Sequence, residues 1–387
     1  MSYKRLGDYI ELSNNRNVNL KYNEDDVRGV SNDKKIIKSK SNNKGRSFEK
    51  FYIIKPDEFI YNSRTSRMGD KVGLGFNETN ETIITSFNNT GFRVKNDLLV
   101  PKYLFMWFNR PEFDRYVRFN SWGSSTEIFS WDEMCEVTLP LPSLEKQQQI
   151  VDEYNTVTNR IQLNEKINTN LEATAQALYK HWFVDFEFPN AEGKPYKSSG
   201  GEMVYNEELD KDIPVGWSVT EISQISGVKS GKSPVNKDKT SEKYKTPIYG
   251  AGGISGYTSE ILYDEKLISI GRVGTHGVVQ RINSSCWLSD NTLIFFSKHY
   301  EYLYNILLNI NYDELNRGGV QGLITQTDLK EYKILNPQLE IFNKFEDYSG
   351  RIFKKIENFK LQSQTLKELQ SLLLAKMTKA ETEIAIV

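Results

Sequence analysis

The groupings of residues that could do chemistry in this chain are mostly basic or amide-bearing loops bounded by glycine. Residues 268–277 run Ile-Ser-Ile-Gly-Arg-Val-Gly-Thr-His-Gly, a strand pattern entering a loop that presents Arg272, Thr275 and His276. Arginine is the commonest reader of guanine edges, through two parallel hydrogen bonds, and glutamine suits adenine. A second loop, 317–322, offers Arg317 and Gln321. A third, 248–257, carries Tyr249 among tight glycine turns. Earlier in the chain Arg64 and Arg67 sit in Asn-Ser-Arg-Thr-Ser-Arg-Met-Gly, Lys71 follows, and Ser124 lies in Ser-Trp-Gly-Ser-Ser-Thr. Any one of these loops taken alone reads more readily as a hairpin closed by glycine. Five of them in one chain point to contact with DNA bases and phosphates.

The catalytic groupings that the sequence approaches are all incomplete. Gly-Val-Lys-Ser-Gly-Lys-Ser, 227–233, approaches a phosphate-binding loop but has three residues where that loop needs four before Gly-Lys-Ser. Lys229 and Lys232 fit a basic turn touching a DNA phosphate better. Methyl transfer to a base calls for an Asn/Asp-Pro-Pro-aromatic loop, and Asn336-Pro337 is followed by Gln338. Pro56-Asp57-Glu58 is too short a match for a metal nuclease, which needs clustered carboxylates and a lysine. Three histidines and two cysteines do not make a four-ligand zinc site of usual spacing, and a Gly-x-Ser-x-Gly elbow is missing. Cys135 and Cys286 read as small apolar residues of the interior. The chain looks like a reader rather than a catalyst.

Charge supports that reading locally. The whole chain is almost neutral, at −1. Between Arg28 and Lys71, however, twelve basic residues face five acids, and between Lys229 and Lys245 six face two. Two separated basic patches on a neutral chain suggest two places that meet phosphates, the alternative being solvated loops. No apolar run approaches the roughly 18 residues of a membrane span, and the first residues lack the apolar core of a signal peptide. A cytoplasmic protein is expected, and two cysteines fit a reducing compartment.

The elements that must position these loops are repeated. Ser130 to Glu145 matches Thr325 to Glu340 at a constant offset of 195: Ser130 with Thr325, Glu133 with Asp328, Glu136 with Glu331, Pro142 with Pro337, Leu144 with Leu339. Ser or Thr followed three residues later by an acid starts a helix. After each block comes a long segment with coiled-coil spacing. In the first, Ile150, Val157, Asn164, Leu171 and Leu178 form one seam series, and Tyr154, Ile161, Asn168, Ala175 and Trp182 the other. In the second, the series are Phe345, Ile352, Phe359, Leu366 and Leu373, then Ser349, Ile356, Ser363, Gln370 and Met377. An antiparallel pair sets Asn164 and Asn168 opposite Ser363 and Phe359, either as buried register-setting polar residues or on a wet edge. The rest is two globular segments, roughly 1–140 and 191–335, of short β-rich runs and turns. The predicted class is α+β: globule, helix, globule, helix, with pseudo-twofold symmetry. Tyr179, Trp182, Phe183, Phe186 and Phe188 crowd the end of the first helix. They either cap the helix pair or form a docking face for a partner protein, since aromatic anchors are favoured there.

Several strings, in this order and spacing, resemble the specificity subunit of type I restriction–modification enzymes over essentially the whole chain. They are LPLPSLEKQQQIVDEY, ALYKHWFVDFEFPN, DIPVGW, ISIGRVGTHG with WLSDNT, and LNPQLEIFNKF. The first globule departs from the pattern, having only SRMGDKVG where the second has GRVG. The resemblance implies two mixed α/β target-recognition domains, residues 1–142 and 191–337, each reading half of an interrupted double-stranded DNA site. It implies spacer helices at 143–190 and 338–382, two methyltransferase subunits docked on them, and restriction/translocase subunits joining later. No cofactor is expected in this chain; S-adenosylmethionine, ATP and Mg belong to the partners. A free-standing DNA-binding scaffold and, further off, a DNA-cleaving or ATP-using enzyme are the competing readings.

Overall fold

The computed structural model describes residues 3–39, 45–65, 71–122, 127–273, 277–315 and 324–377. The chain forms two compact units: one joins Met1–Asn164 to Leu361–Val387, the other is Glu165–Lys360. Each unit therefore holds one globule together with a stretch of both long helices.

In the first unit, strand Tyr3–Arg5 pairs with Thr138–Pro140, closing the globule at the point where the long helix begins. A four-stranded sheet follows the order Ile10–Leu12, Thr90–Val94, Phe59–Tyr61, Leu74–Phe76. A second sheet follows the order Ile36–Lys38, Val27–Val30, Ile83–Thr85, Tyr52–Ile54, in which Val27–Val30 and Ile83–Thr85 are parallel. Helices Pro101–Phe108 and Pro111–Phe119 each start at a proline, whose fixed φ and missing N–H suit a first helical turn. Their Tyr103, Leu104, Phe108 and Phe113 bury against Phe59 and Phe92, which stack at 4.8 Å.

The second unit repeats this plan with other residues. Ser218–Glu221 pairs with Lys333–Asn336. The four-stranded sheet runs Gly227–Ser230, Thr292–Phe296, Leu267–Gly271, Val279–Ile282. The smaller sheet runs Gly253–Thr258, Thr246–Gly250, Trp287–Leu288, the last two parallel. In both units the chain places a parallel strand, Ile83–Thr85 or Trp287–Leu288, in one sheet, turns, and enters the other, the large sheet, at Thr90–Val94 or Thr292–Phe296. Capping repeats too. Ser130 Oγ accepts from the Glu133 N–H at 3.1 Å ahead of Trp131–Glu136, and Thr325 Oγ1 accepts from the Asp328 N–H at 3.1 Å ahead of Gln326–Lys330.

The long helices are Leu144–Tyr179, continued by a π-helical turn at Lys180–Val184, and Leu339–Lys376. Every residue of the four expected seam series is buried or half-buried. In the first unit the pairing is antiparallel: Gln370 Nε2 donates to Thr158 Oγ1 at 2.7 Å, and Asn164 Nδ2 donates to Ser363 Oγ at 3.2 Å. Asn164 is fully buried, so the wet-edge alternative does not hold there. In the second unit Ala175 packs with Phe353 and Ile356. A glycine-rich connector at 189–201 is surface chain, but Tyr196 stacks on Phe188 at 4.6 Å and so fastens it down. Among the described residues no helix is long and apolar enough to cross a membrane.

Candidate nucleic-acid interface

In the second unit three strands finish side by side, at Ser230, Gly250 and Gly271, where Thr292–Phe296 begins. The turn at 289–291, the heart of WLSDNT, ties their ends together through the main chain. Lys232 N donates to Leu288 O at 2.8 Å, Ser289 N to Tyr249 O at 3.0 Å, and Arg272 N to Asn291 O at 3.0 Å. Ser233 Oγ donates to Asp290 Oδ2 at 2.8 Å, and the Trp287 indole N–H to Lys232 O at 2.7 Å. Gly231 is required by the approach: a Cβ there would lie 2.0 Å from the Ser289 carbonyl oxygen. Lys232, Tyr249 and Arg272 are thus gathered by one turn although they are distant in sequence.

Arg272 is also held from its other side, since Ile324 N donates to its carbonyl at 3.1 Å. Its Nε is buried and finds no acceptor among the described residues. A buried donor without an acceptor is costly, and a base edge or phosphate would supply one. Lys232 is exposed at the turn. Tyr249 is half-buried, and burial raises its hydroxyl above the usual range, so it stays a neutral donor. Lys229 is exposed on the edge strand with Nζ 5.1 Å from the Phe296 ring centre. Gly227–Ser230 is a strand, not a loop that could wrap a phosphate.

The first unit carries a counterpart. Tyr61 and Gly271 end equivalent strands opposite Thr90 and Thr292, so Asn62 stands where Arg272 does. Beside it is a concavity of about 360 Å3. Arg28, Lys38, Arg46, Asn62, Asn88 and Asn89 line it, and none of its lining residues is acidic. Arg28, Lys38 and Arg46 belong to the basic run of residues 28–71 and Asn62 opens the loop string holding Arg64, but the sequence marks none of them individually; Asn88-Asn89 ahead of a strand is the one local signal. Arg64 is exposed, bridged through its backbone to Ile128, with its N–H donated to Asn62 Oδ1 at 3.0 Å. Lys71 is exposed and paired with Asp33 at 3.2 Å. Arg67, Ser124, Thr275, His276, Arg317 and Gln321 lie outside the described residues.

The docking face expected at Tyr179, Trp182, Phe183 and Phe186 is corrected by the packing. Trp182, Phe183 and Phe186 are 2–4% exposed, inside the core of the second unit, and Tyr179 packs against it. Phe183 meets Tyr302 at 4.6 Å and Phe345 at 4.9 Å, and Phe188 stacks on Trp217 at 4.9 Å. These rings join the end of the first helix to the DIPVGW and LNPQLEIFNKF strings, leaving little aromatic surface for a partner to grip. Cys286 is buried and its thiol is pushed up to about 11, whereas Cys135 is only half-buried.

The sequence matches the family model described as Type I restriction modification DNA specificity domain over residues 1–173 and 214–373. It is 28% identical over 325 residues to the type I restriction enzyme MjaIX specificity subunit of Methanocaldococcus jannaschii, covering 76% of this chain and 73% of that protein. It is 22% identical over 365 residues to the HindI specificity subunit of Haemophilus influenzae, covering 74% and 78% respectively. The fold is similar to the crystal structure of a type I restriction–modification S subunit from M. genitalium, with a TM-score of 0.58, 14% identity, and coverage of 97% of this chain and 95% of that one.

Proposed function

Because the chain belongs to the type I restriction–modification DNA specificity family, we propose that each unit reads one half of a bipartite, interrupted double-stranded DNA site. The observation that carries this is the repeated plan: the four-stranded sheets headed by Ile10–Leu12 and Gly227–Ser230 share one strand order, the second unit gathering Lys232, Tyr249 and Arg272 at the turn that enters this sheet and the first placing cations and asparagines around the equivalent turn. The long helices set the gap between the half-sites and carry two methyltransferase subunits, which place their methyl groups on adenine. Restriction and translocase subunits join that assembly. S-adenosylmethionine, ATP and Mg bind to those partners, and this chain supplies sequence choice without catalysis in the cytoplasm.

The test is reconstitution of the full chain with a cognate methyltransferase subunit, followed by sequencing of methylated adenines in the host genome. One interrupted motif is expected. Adenosylmethionine binding by the isolated chain, or methylation without a bipartite motif, would count against the reading.

A further inference from the structure

The loop at 13–22 leaves the first strand of the large sheet in the first unit, as the loop holding Lys232 leaves the equivalent strand in the second. It belongs to none of the basic or glycine-rich motifs. It borders a concavity of about 600 Å3 whose lining includes Asn14, Asn15, Asn19, Arg16, Lys21 and Lys55, with no carboxylate. The loop is braced from within. Asn17 is buried, its Nδ2 donating to Tyr22 O at 2.8 Å and its Oδ1 accepting from Tyr22 N at 3.2 Å. The Arg16 guanidinium lies 3.5 Å from the Tyr52 ring centre and donates to Lys50 O at 2.6 Å.

That bracing holds an unfavourable tip. Val18 and Leu20 are 62% and 57% exposed, and Leu20 has φ = 51°, a left-handed conformation that leucine adopts at a cost. The loop after Ser230 likewise exposes an apolar residue, Val235, at 78%. An exposed apolar tip on a rigid loop, ringed by amides and cations, matches what a DNA groove offers. Apolar side chains meet thymine methyl groups or wedge between base steps, asparagine pairs with adenine, and lysine meets phosphate.

We propose that residues 14–21 are a base-reading loop of the first unit, with Val18 and Leu20 entering a groove and Asn14, Asn15 and Asn19 contacting base edges. This rests on the reading of the first unit as a half-site reader. Leu20→Gly is the sharpest probe, because glycine accepts the backbone conformation and removes only the side chain; Asn15→Ala is its companion. Each variant is assayed as the complex with the methyltransferase subunit, on a duplex carrying the methylated motif and on a random duplex, with methylated-adenine sequencing in the host.

Leu20→Gly should melt no lower than the parent and bind the motif duplex about tenfold more weakly, with random-duplex binding unchanged. The motif should relax in the half that Arg272→Ala leaves intact. Unchanged binding to the motif, equal loss on both duplexes, or relaxation in the Arg272 half overturns the inference while leaving the bipartite reading standing. A parent complex that methylates no bipartite motif overturns both.

Discussion

The two units solve one positioning problem with different residues. In the second, the turn at 289–291 fastens three strand ends by main-chain hydrogen bonds and offers Lys232, Tyr249 and Arg272. In the first, Asn62 takes the place of Arg272, and cations and asparagines are spread around a concavity. The caps and long helices keep the offset of 195 from Ser130 and Thr325 onward, whereas the equivalent strand starts Thr90 and Thr292 are 202 apart. The frame from the caps onward is therefore held constant, the chain between the large sheet and the caps varies in length, and the residue types at the turn entering that sheet differ. A protein that must change its target without changing its assembly is served by that division.

The broadest way to break the comparison is to exchange residues 191–335 for the matching segment of a relative. One half of the methylated motif should change and the other remain, read by methylated-adenine sequencing. A folded chimera that alters both halves would show that the units do not read independently. A narrower break is Gly231→Ala. Its new Cβ meets a backbone oxygen that cannot step aside, so the turn must open at a cost of about 3 kcal/mol. Calorimetry should show a lower melting temperature, and the half read by the second unit should be lost while the other persists.

The helices that follow the large sheets differ in a titratable way. Helix Pro101–Phe108 has Gln147 at its start, with Oε1 accepting from Val100 N at 2.8 Å. Helix Tyr300–Asn309 has Glu346 instead, accepting from Glu301 N and Tyr302 N, each at 3.0 Å. Burial, with the facing Glu301 carboxylate adding to it, raises Glu346 to about 7 despite those N–H groups and Lys266. A carboxyl raised in the folded state favours folding below its unfolded value and loses that contribution as pH climbs through 7. Against Glu346→Gln, the parent should therefore lose relative stability between pH 4.5 and 7, by at most about 3 kcal/mol. The pH dependence of the difference, measured by urea unfolding, is the readout; a level difference would remove Glu346 as its source.

Side chains at the interface should separate next. Arg272→Ala should cost roughly 1–3 kcal/mol on the motif duplex and relax one half only. Lys232→Ala should weaken motif and random duplexes alike and flatten the salt dependence. If Lys232→Ala changed the methylated motif, the division between base and phosphate contact would be wrong.

What could be read from the chain follows from how each feature is written in it. Seam residues recur every three or four positions over ten turns, so both helices and the meeting of Asn164 with Ser363 were visible beforehand. Leu267–Gly271 was legible as a strand, but its place in a sheet was not: Phe59–Tyr61, Ile83–Thr85 and Leu267–Gly271 are short and buried throughout, which erases the alternation that would mark a face. Arg272 and Lys232 stood out by type and by neighbouring glycines. The turn that unites them did not, because main-chain hydrogen bonds leave no signature in residue type. The aromatic cluster at 179–188 misled for a related reason. A ring that will meet Phe345 or Trp217 of its own chain is spelled like one that will meet a partner.

The smallest effect tests whether the repeated caps do equal work. Ser130 satisfies one N–H, that of Glu133. Thr325 does the same for Asp328, and the Asp328 carboxylate returns a bond to the Thr325 N–H at 3.2 Å and accepts from its hydroxyl at 2.5 Å. Replacing an N-cap hydroxyl costs typically about 1 kcal/mol, with a range up to about 2. Ser130→Ala should fall near the middle of that range. Thr325→Ala should fall nearer the top, because it strips a hydroxyl donor from a buried carboxylate as well as a bond from the helix start. Urea unfolding of the two variants with unchanged slopes gives the comparison. A larger loss at Ser130 would mean that the first unit leans on its cap more than its single bond explains, and that the two caps, though repeated in sequence and geometry, are not equivalent in energy.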